Sequence, residues 1–294
     1  MKKKKKKDKR RKSSPKFSLS KSVERRLGMH RKQYADSWSG NQSRQFEQEG
    51  LYQWMASFLG GYNRILEIGT GDGRSLSACA QKGHKVVSID ENPACLDLAE
   101  NILKERRIPF KRIKREKLHI IGEDHLITYD VVDTKYGEEN IITEGDITDD
   151  QHLEQWLNEV GPFDAVICWL IGTHGSRQMN KKIKMAGINS DGIYRLYVQN
   201  RVYVLADKLL RSGGILNIVD RGAVPDSEFF LKDILRAHRE QASVTNLEVF
   251  DLKWREYREP CSKEAVKMVQ TPGILGLRQD MSRLSFISVT SKKP

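Results

Sequence analysis

The run "ILEIGTGDGRS", residues 65–75, constrains the fold more than any other stretch of the chain. An apolar, strand-type segment passes straight into three glycines spaced two apart, Gly69, Gly71 and Gly73, and then into a helical pattern. A strand ending in such a turn sets backbone N–H groups and a helix N-terminus at the carboxyl edge of a parallel sheet. Ligands of open α/β sheets lie at that edge. The next segments keep the rhythm. "HKVVSID" (84–90) is a second apolar strand ending in an acid, and "NPACLDLAENILKER" is a helix with proline near its start, where a missing N–H costs nothing. "NIITEGDI", "DDQHLEQWLNEV" and "FDAVICWLI" repeat strand, helix, strand. A helix over about Asp191–Leu210, the strand "ILNIVD", the acid-led helix "DSEFFLKDILRAHREQ" and the strands "LEVFDLKW" and "RLSFISVT" complete the series. This alternation predicts an α/β fold, a doubly wound seven-stranded and mostly parallel sheet covered on both faces.

Two regions stand outside the rhythm. Residues 106–140 carry a basic stretch and two alternating runs, "KLHIIG" and "HLITYDVVD", which predict an inserted β-hairpin. From about Ser22 to Leu59 the pattern is helical, with Phe46, Leu51, Trp54, Met55 and Phe58 on one face and Gly60-Gly61 as a stop. The expected organisation is a disordered basic tail (1–20), an N-terminal helical segment (21–62) that lids the ligand edge, and one α/β domain (63–294) carrying the insertion at about 106–140.

The net charge of +12 belongs mostly to the tail. Residues 1–12 hold ten basic residues and one acid; without them, 41 basic residues face 38 acidic ones. Such a run repels itself into disorder and attracts phosphate through counterion release. A second cluster, Lys104–Lys117, has eight basic residues against two acids, interrupted by Phe110. RNA or another polyanion is therefore an expected partner through residues 2–12 and 104–117, with a solvated charged face as the competing reading. Arg177, Lys181, Lys182 and Lys184 read as a solvated basic loop, with steering of an anionic substrate as the competing reading. The four cysteines lack the close pairs of a zinc site, so no metal is expected and a reducing compartment fits. No stretch approaches the roughly 18 apolar residues of a membrane span, and no apolar segment follows the charged leader. A cytoplasmic location is expected, or a nuclear one in a eukaryote.

The glycine turn reads E-x-G-x-G-x-G from Glu67, one residue shorter in its last interval than the dinucleotide fingerprint G-x-G-x-x-G. A buried carboxylate before the turn is a poor neighbour for a pyrophosphate and a good one for an ammonium group. Here the sequence resembles the class I S-adenosylmethionine-dependent methyltransferases over about residues 45–255. "LEIGTGDG" is similar to the family's first motif and "VVSIDENPACLDLA" to its second. "EGDITD", "FDAVICW" and "LRSGGILNIVD" are similar to later stations, in the family's order.

The resemblance implies S-adenosyl-L-methionine as cofactor and assigns roles. Glu67 would orient its ammonium group, and the backbone of Gly69, Gly71 and Gly73 would cradle its carboxylate side. Asp90 would accept both ribose hydroxyls, Asp146 would take the adenine amino hydrogen, and the Ile147 N–H would donate to the ring. Asp146 could instead cap the following helix, and Glu91 is expected to face solvent. Trp169 would stack on adenine or an acceptor, or else be plain core, and His174 is the candidate general base. A nicotinamide dehydrogenase also wants an acid where Asp90 stands; the glycine spacing, Glu67 and the Gly-Asp-Ile step favour the methyl donor. An aminopropyl transferase uses a related fold and stays open. No signature of nucleic acid methylation follows the fourth strand, so the unidentified acceptor is expected to be a small molecule or a protein side chain. An RNA methyltransferase docked by its tail, or an inactive cofactor-binding scaffold on nucleic acid, are the alternatives.

Overall fold

A computed structural model describes residues 15–134, 139–260 and 283–294. In chain order, α1 (Pro15–Ser37) runs through a wider π turn (Trp38–Ser43) into α2 (Arg44–Gln48) and α3 (Leu51–Ala56). The alternating body follows with β1 (Arg64–Ile68), α4 (Arg74–Gln81), β2 (Lys85–Asp90) and α5 (Pro93–Glu105). The insertion supplies β3 (Phe110–Ile113), β4 (Glu116–Ile121) and β5 (Asp124–Tyr129). Next come β6 (Asn140–Glu144), α6 (Gln151–Val160), β7 (Phe163–Trp169), α7 (Lys181–Met185) and α8 (Asp191–Leu209). The last elements are β8 (Leu210–Ala223), α9 (Glu228–Ala242), β9 (Glu248–Tyr257) and β10 (Leu284–Lys292).

The main sheet has the order β3-β6-β2-β1-β7-β8-β10-β9. Strands β3, β6, β2, β1, β7 and β8 run parallel, and β10 is antiparallel to both of its neighbours. This is the doubly wound Rossmann-like arrangement expected from the sequence, with all seven expected strands present. The eighth comes from the insertion, whose residues "FKRI" pair with β6 at the sheet edge instead of remaining in a loop. The expected hairpin, β4 with β5, forms a separate two-stranded sheet.

Local chemistry accounts for the helix starts. Asn92 caps α5 by accepting the Ala94 N–H (3.1 Å), with Pro93 at the first helical position. Asp150 caps α6 by accepting the Leu153 N–H (3.0 Å), so the cap belongs to Asp150 and not to Asp146. Helix α1 begins at Pro15, inside the stretch assigned to the tail; residues 1–12 lie outside the described residues.

Each sheet face buries a core. One joins α6 and α8 to the sheet, around Leu157, Val202, Tyr203 and Leu216. The other joins α2–α5, around Phe46, Met55, Leu76 and Leu96, with Phe286 of β10. Phe46, Leu51 and Met55 of the expected N-terminal face are buried there, while Trp54 and Phe58 stay half-exposed and pack edge to face at 4.9 Å. The N-terminal helices are thus part of the domain's packing. Among the described residues no helix is long and apolar enough to cross a membrane.

Candidate functional site

The order in which the chain adds parallel strands reverses at β1, with β2 on one side and β7 on the other, and a cavity of about 840 Å³ opens at the carboxyl ends of these strands. The glycine turn forms its floor: Gly69 and Thr70 donate N–H bonds to Ile89 O (2.8 and 3.2 Å), and the Gly71 N–H goes to Asp90 Oδ2 (2.9 Å). Gly73 has φ +82°, and a Cβ there would sit 2.8 Å from the Ala99 Cβ, so α5 packs this closely only on glycine.

Register places Glu67 of β1 opposite Ser88 of β2. The Ser88 hydroxyl donates to Glu67 Oε2 at 2.5 Å, while Oε1 is buried without a partner. Burial pushes the Glu67 carboxyl up to about 7, against the lowering effect of the Ser75 and Ser88 hydroxyls. Glu67 is 1% exposed and does not itself line the cavity, whose nearest walls are Ile68, Gly69 and Ser75. A buried carboxylate oxygen without a partner there is costly unless a donor or cation meets it. Asp90 ends β2 half-buried, taking the Gly71 N–H on one oxygen and the Asn92 N–H (2.8 Å) on the other. Burial raises its pKa to about 7 as well. Each Asp90 oxygen keeps a lone pair for a further donor, which suits a vicinal diol.

The strands beyond bring Asp146, Ile147, Trp169 and His174 to the same cavity. Asp146 Oδ1 accepts Thr148 N–H (3.0 Å) and O–H (2.6 Å), and its Oδ2 meets Arg177 at 2.7 Å. Trp169 lines the cavity, but its indole N–H donates to Asn217 Oδ1 (2.7 Å) and the ring is 5% exposed, which makes it a core residue with one edge on the site.

Glu91 and Arg177 correct the sequence reading, which put both in solvent. Glu91 lies 2.8 Å from Arg177, 3.3 Å from His174 Nε2 and 3.5 Å from Arg31. Burial alone would raise its pKa, but Arg177, then His174 and Arg31, hold the carboxyl well below the usual range. Arg177 is buried between Glu91 and Asp146, with its guanidinium 4.4 Å from the Tyr194 ring centroid. Arg31 of α1 also grips Glu116 of the hairpin through both terminal nitrogens (2.7 and 2.8 Å). One charge network therefore ties α1, the hairpin, β2 and the loop after β7 together.

Tyr34, Trp38 and Tyr52 also line the cavity, and no motif named them. Tyr34 and Trp38 stand four apart, hence on one helix face, the one signal that could have found them. The π turn carries Ser43 to Asp72 in the glycine turn (2.7 Å), and Ser43 also bonds the Tyr52 hydroxyl (2.7 Å). Arg74 of α4 reaches Glu47 of α2 at 3.0 Å. These bonds hold the N-terminal wall to the glycine turn.

In the Lys104–Lys117 cluster, Arg106, Arg112 and Arg115 are engaged within the fold, while Lys104 and Lys117 make exposed ion pairs. Lys104 pairs with Glu100, Arg106 with Glu47, Arg112 with Glu144, Arg115 with Asp150 and Lys117 with Asp130. Arg107, Lys111 and Lys114 remain as its exposed, unpaired cations among the described residues. Phe110 packs against the apolar core, not at a stacking surface. Of the loop cations, Lys182 pairs with Asp149 and Lys184 with Asp124, while Lys181 is exposed.

No family model matches the chain, and no curated protein matches it. Among solved structures it is similar to an S-adenosylmethionine-dependent methyltransferase from Methanosarcina mazei, with 12% identity, 82% of this chain and 96% of that one covered, and a TM-score of 0.43. A TehB-like S-adenosylmethionine-dependent methyltransferase from Corynebacterium glutamicum gives 16% identity, 90% and 99% coverage, and a TM-score of 0.42. SpnF, described as a [4+2]-cyclase, gives 13%, 83% and 80%, and 0.42.

Proposed function

We propose that the cavity binds S-adenosyl-L-methionine and that the chain transfers its methyl group to a small acceptor. The observation that carries this reading is the buried Glu67 Oε1, an acceptor without a partner beside the glycine turn. A pyrophosphate would be repelled there, whereas an ammonium group completes the carboxylate's bonding. In this reading Glu67 holds the amino group and the N–H groups of residues 69–73 face the carboxylate. Asp90 takes the two ribose hydroxyls, Asp146 the adenine amino group, and the Ile147 N–H a ring nitrogen. Arg177 and Thr148 fix the orientation of the Asp146 carboxylate.

Bound, the cofactor supplies a methyl group on a sulfonium, already an activated leaving group. The protein's share is alignment and exclusion of water. Tyr34, Trp38 and Tyr52 wall the cavity off on the N-terminal side. His174, which lines the cavity with Nδ1 unpartnered, is the side chain we assign to taking a proton from an acceptor that must lose one.

Calorimetry with S-adenosylhomocysteine and, separately, NAD tests the reading. Binding of the first and not the second is expected, and NAD binding alone would overturn it. A labelled methyl donor screened against metabolite, protein and RNA fractions then identifies the acceptor class.

A further inference from the structure

A second cavity, about 530 Å³, adjoins the first. The two share Tyr34, Trp38 and the segment Leu170, Ile171, Gly172 and Thr173 as walls. Past that partition the lining becomes charged, with Asp191 and Arg195 from α8 and Asp220 and Arg221 from the end of β8. These four residues are not part of any motif in the glycine-turn half of the molecule.

The charges are unequal in what they have left to offer. Asp220 receives Arg195 on one oxygen and the Gln199 amide on the other, so its charge is answered within the fold. Arg195 spends a terminal nitrogen on that bond; its side chain is 19% exposed and its Nε is buried without a partner. Arg221, the second guanidinium of the lining, lies 3.2 Å from Glu259. Asp191 is exposed, where water and salt screen it. A half-buried guanidinium with donors to spare recognises a planar oxyanion, because a carboxylate accepts two parallel N–H bonds from the fork.

At the partition, the Tyr34 hydroxyl lies where a Cβ on Gly172 would come within 2.0 Å of it. Only a residue without a side chain lets the phenol occupy this place between the two compartments. Burial pushes the Tyr34 pKa up, so the phenol stays protonated and offers a neutral O–H at the boundary.

We propose that this side chamber holds the methyl acceptor, and that the acceptor is a small molecule carrying a carboxylate, which docks on Arg195 with Arg221 beside it. Its far end then faces Tyr34 and the donor cavity. The proposal rests on the methyl-transfer reading and gives that reading a substrate class.

The test uses the full chain saturated with S-adenosylhomocysteine, whose binding is measured first. If that ligand fails to bind, the methyl-transfer reading is at fault. With it bound, the protein is titrated with benzoate, benzamide and benzylammonium as probes of equal size and different charge. Benzoate is expected to bind about tenfold or more tighter than benzamide, as a charge-assisted bond requires. Arg195→Met should erase that preference and leave affinity for S-adenosylhomocysteine unchanged, while Arg195→Lys should retain part of it. If Arg195→Met does not fold, Arg221→Met should weaken the same preference. Equal binding of benzoate and benzamide, a preference for benzylammonium, no benzoate binding, or a preference untouched by both arginine variants would each overturn the proposal.

Discussion

The donor cavity and the side chamber meet at Tyr34 but are built in opposite ways. At the donor cavity Glu91 and Asp146 are answered by arginines, but Glu67, beside the lining, keeps an oxygen without a partner, and burial raises both Glu67 and Asp90 to about 7. In the side chamber the acid Asp220 is fully engaged and a guanidinium has donors left over. On the proposed reading, one compartment takes a cation and hydroxyl donors and the other an anion. If both proposals hold, the difference lets a single cleft sort two ligands, since each finds its own charge on the wrong side of the partition.

Four measurements would break or sharpen that contrast. The largest effect is expected from Asp90→Ala, which removes the proposed diol acceptor. Affinity for S-adenosylhomocysteine should fall by about 100-fold or more in calorimetry, as the loss of charge-assisted bonds implies. Unchanged affinity would remove Asp90 from the site.

The second is pH. Glu67 must be ionised to meet an ammonium, so cofactor affinity should drop about tenfold for each unit of pH below 7. The same raised pKa makes protonation favour the folded state. Stability should therefore decline as pH rises from about 4.5 to 7, and the effect should vanish below 4.5. Glu67→Gln should melt higher than the parent at pH 8 and alike at pH 4, while binding the cofactor poorly. A variant less stable at pH 8 would show that the carboxylate stabilises the fold.

Third, Gly172→Ala should displace Tyr34 and destabilise by about 1–3 kcal/mol in chemical denaturation, as overpacking does. Benzoate binding should suffer more than cofactor binding. The smallest effect is reserved for removing residues 1–12. Affinity for S-adenosylhomocysteine should stay within about twofold, while any RNA binding should weaken and lose salt dependence.

The placement of Glu67, the glycine turn and Asp90 side by side was readable because these residues are local in sequence. A strand, a glycine turn and an acid at the end of the next strand lie within residues 65–90, and the sheet places them together in sequence order. The seven strands were readable for the same reason, as alternation is a property of neighbours. Charges were misjudged because exposure is a tertiary property. Glu91 and Arg177 look like surface residues until Arg31, 60 positions before Glu91, arrives to complete the network. Arg115 looks like part of a polyanion surface, yet its guanidinium bonds Asp150, Asp130 O and Glu144 O inside the fold. The side chamber was invisible, since Tyr34, Gly172, Arg195 and Asp220 share no motif and meet only through the packing of α1 and α8 on the strand ends.

The N-terminal wall has a consequence for the order in which the protein matures. Phe46, whose helix follows the π turn, packs against Tyr257 at 5.4 Å and Phe286 at 4.8 Å, and Gln45 donates to Arg258 O. Residues made early on the ribosome therefore complete their packing only when the last two strands are present. A nascent chain holding the whole glycine turn already contains Asp72 and Arg74, the partners of Ser43 and Glu47, but lacks the rings of Tyr257 and Phe286 against which Phe46 packs.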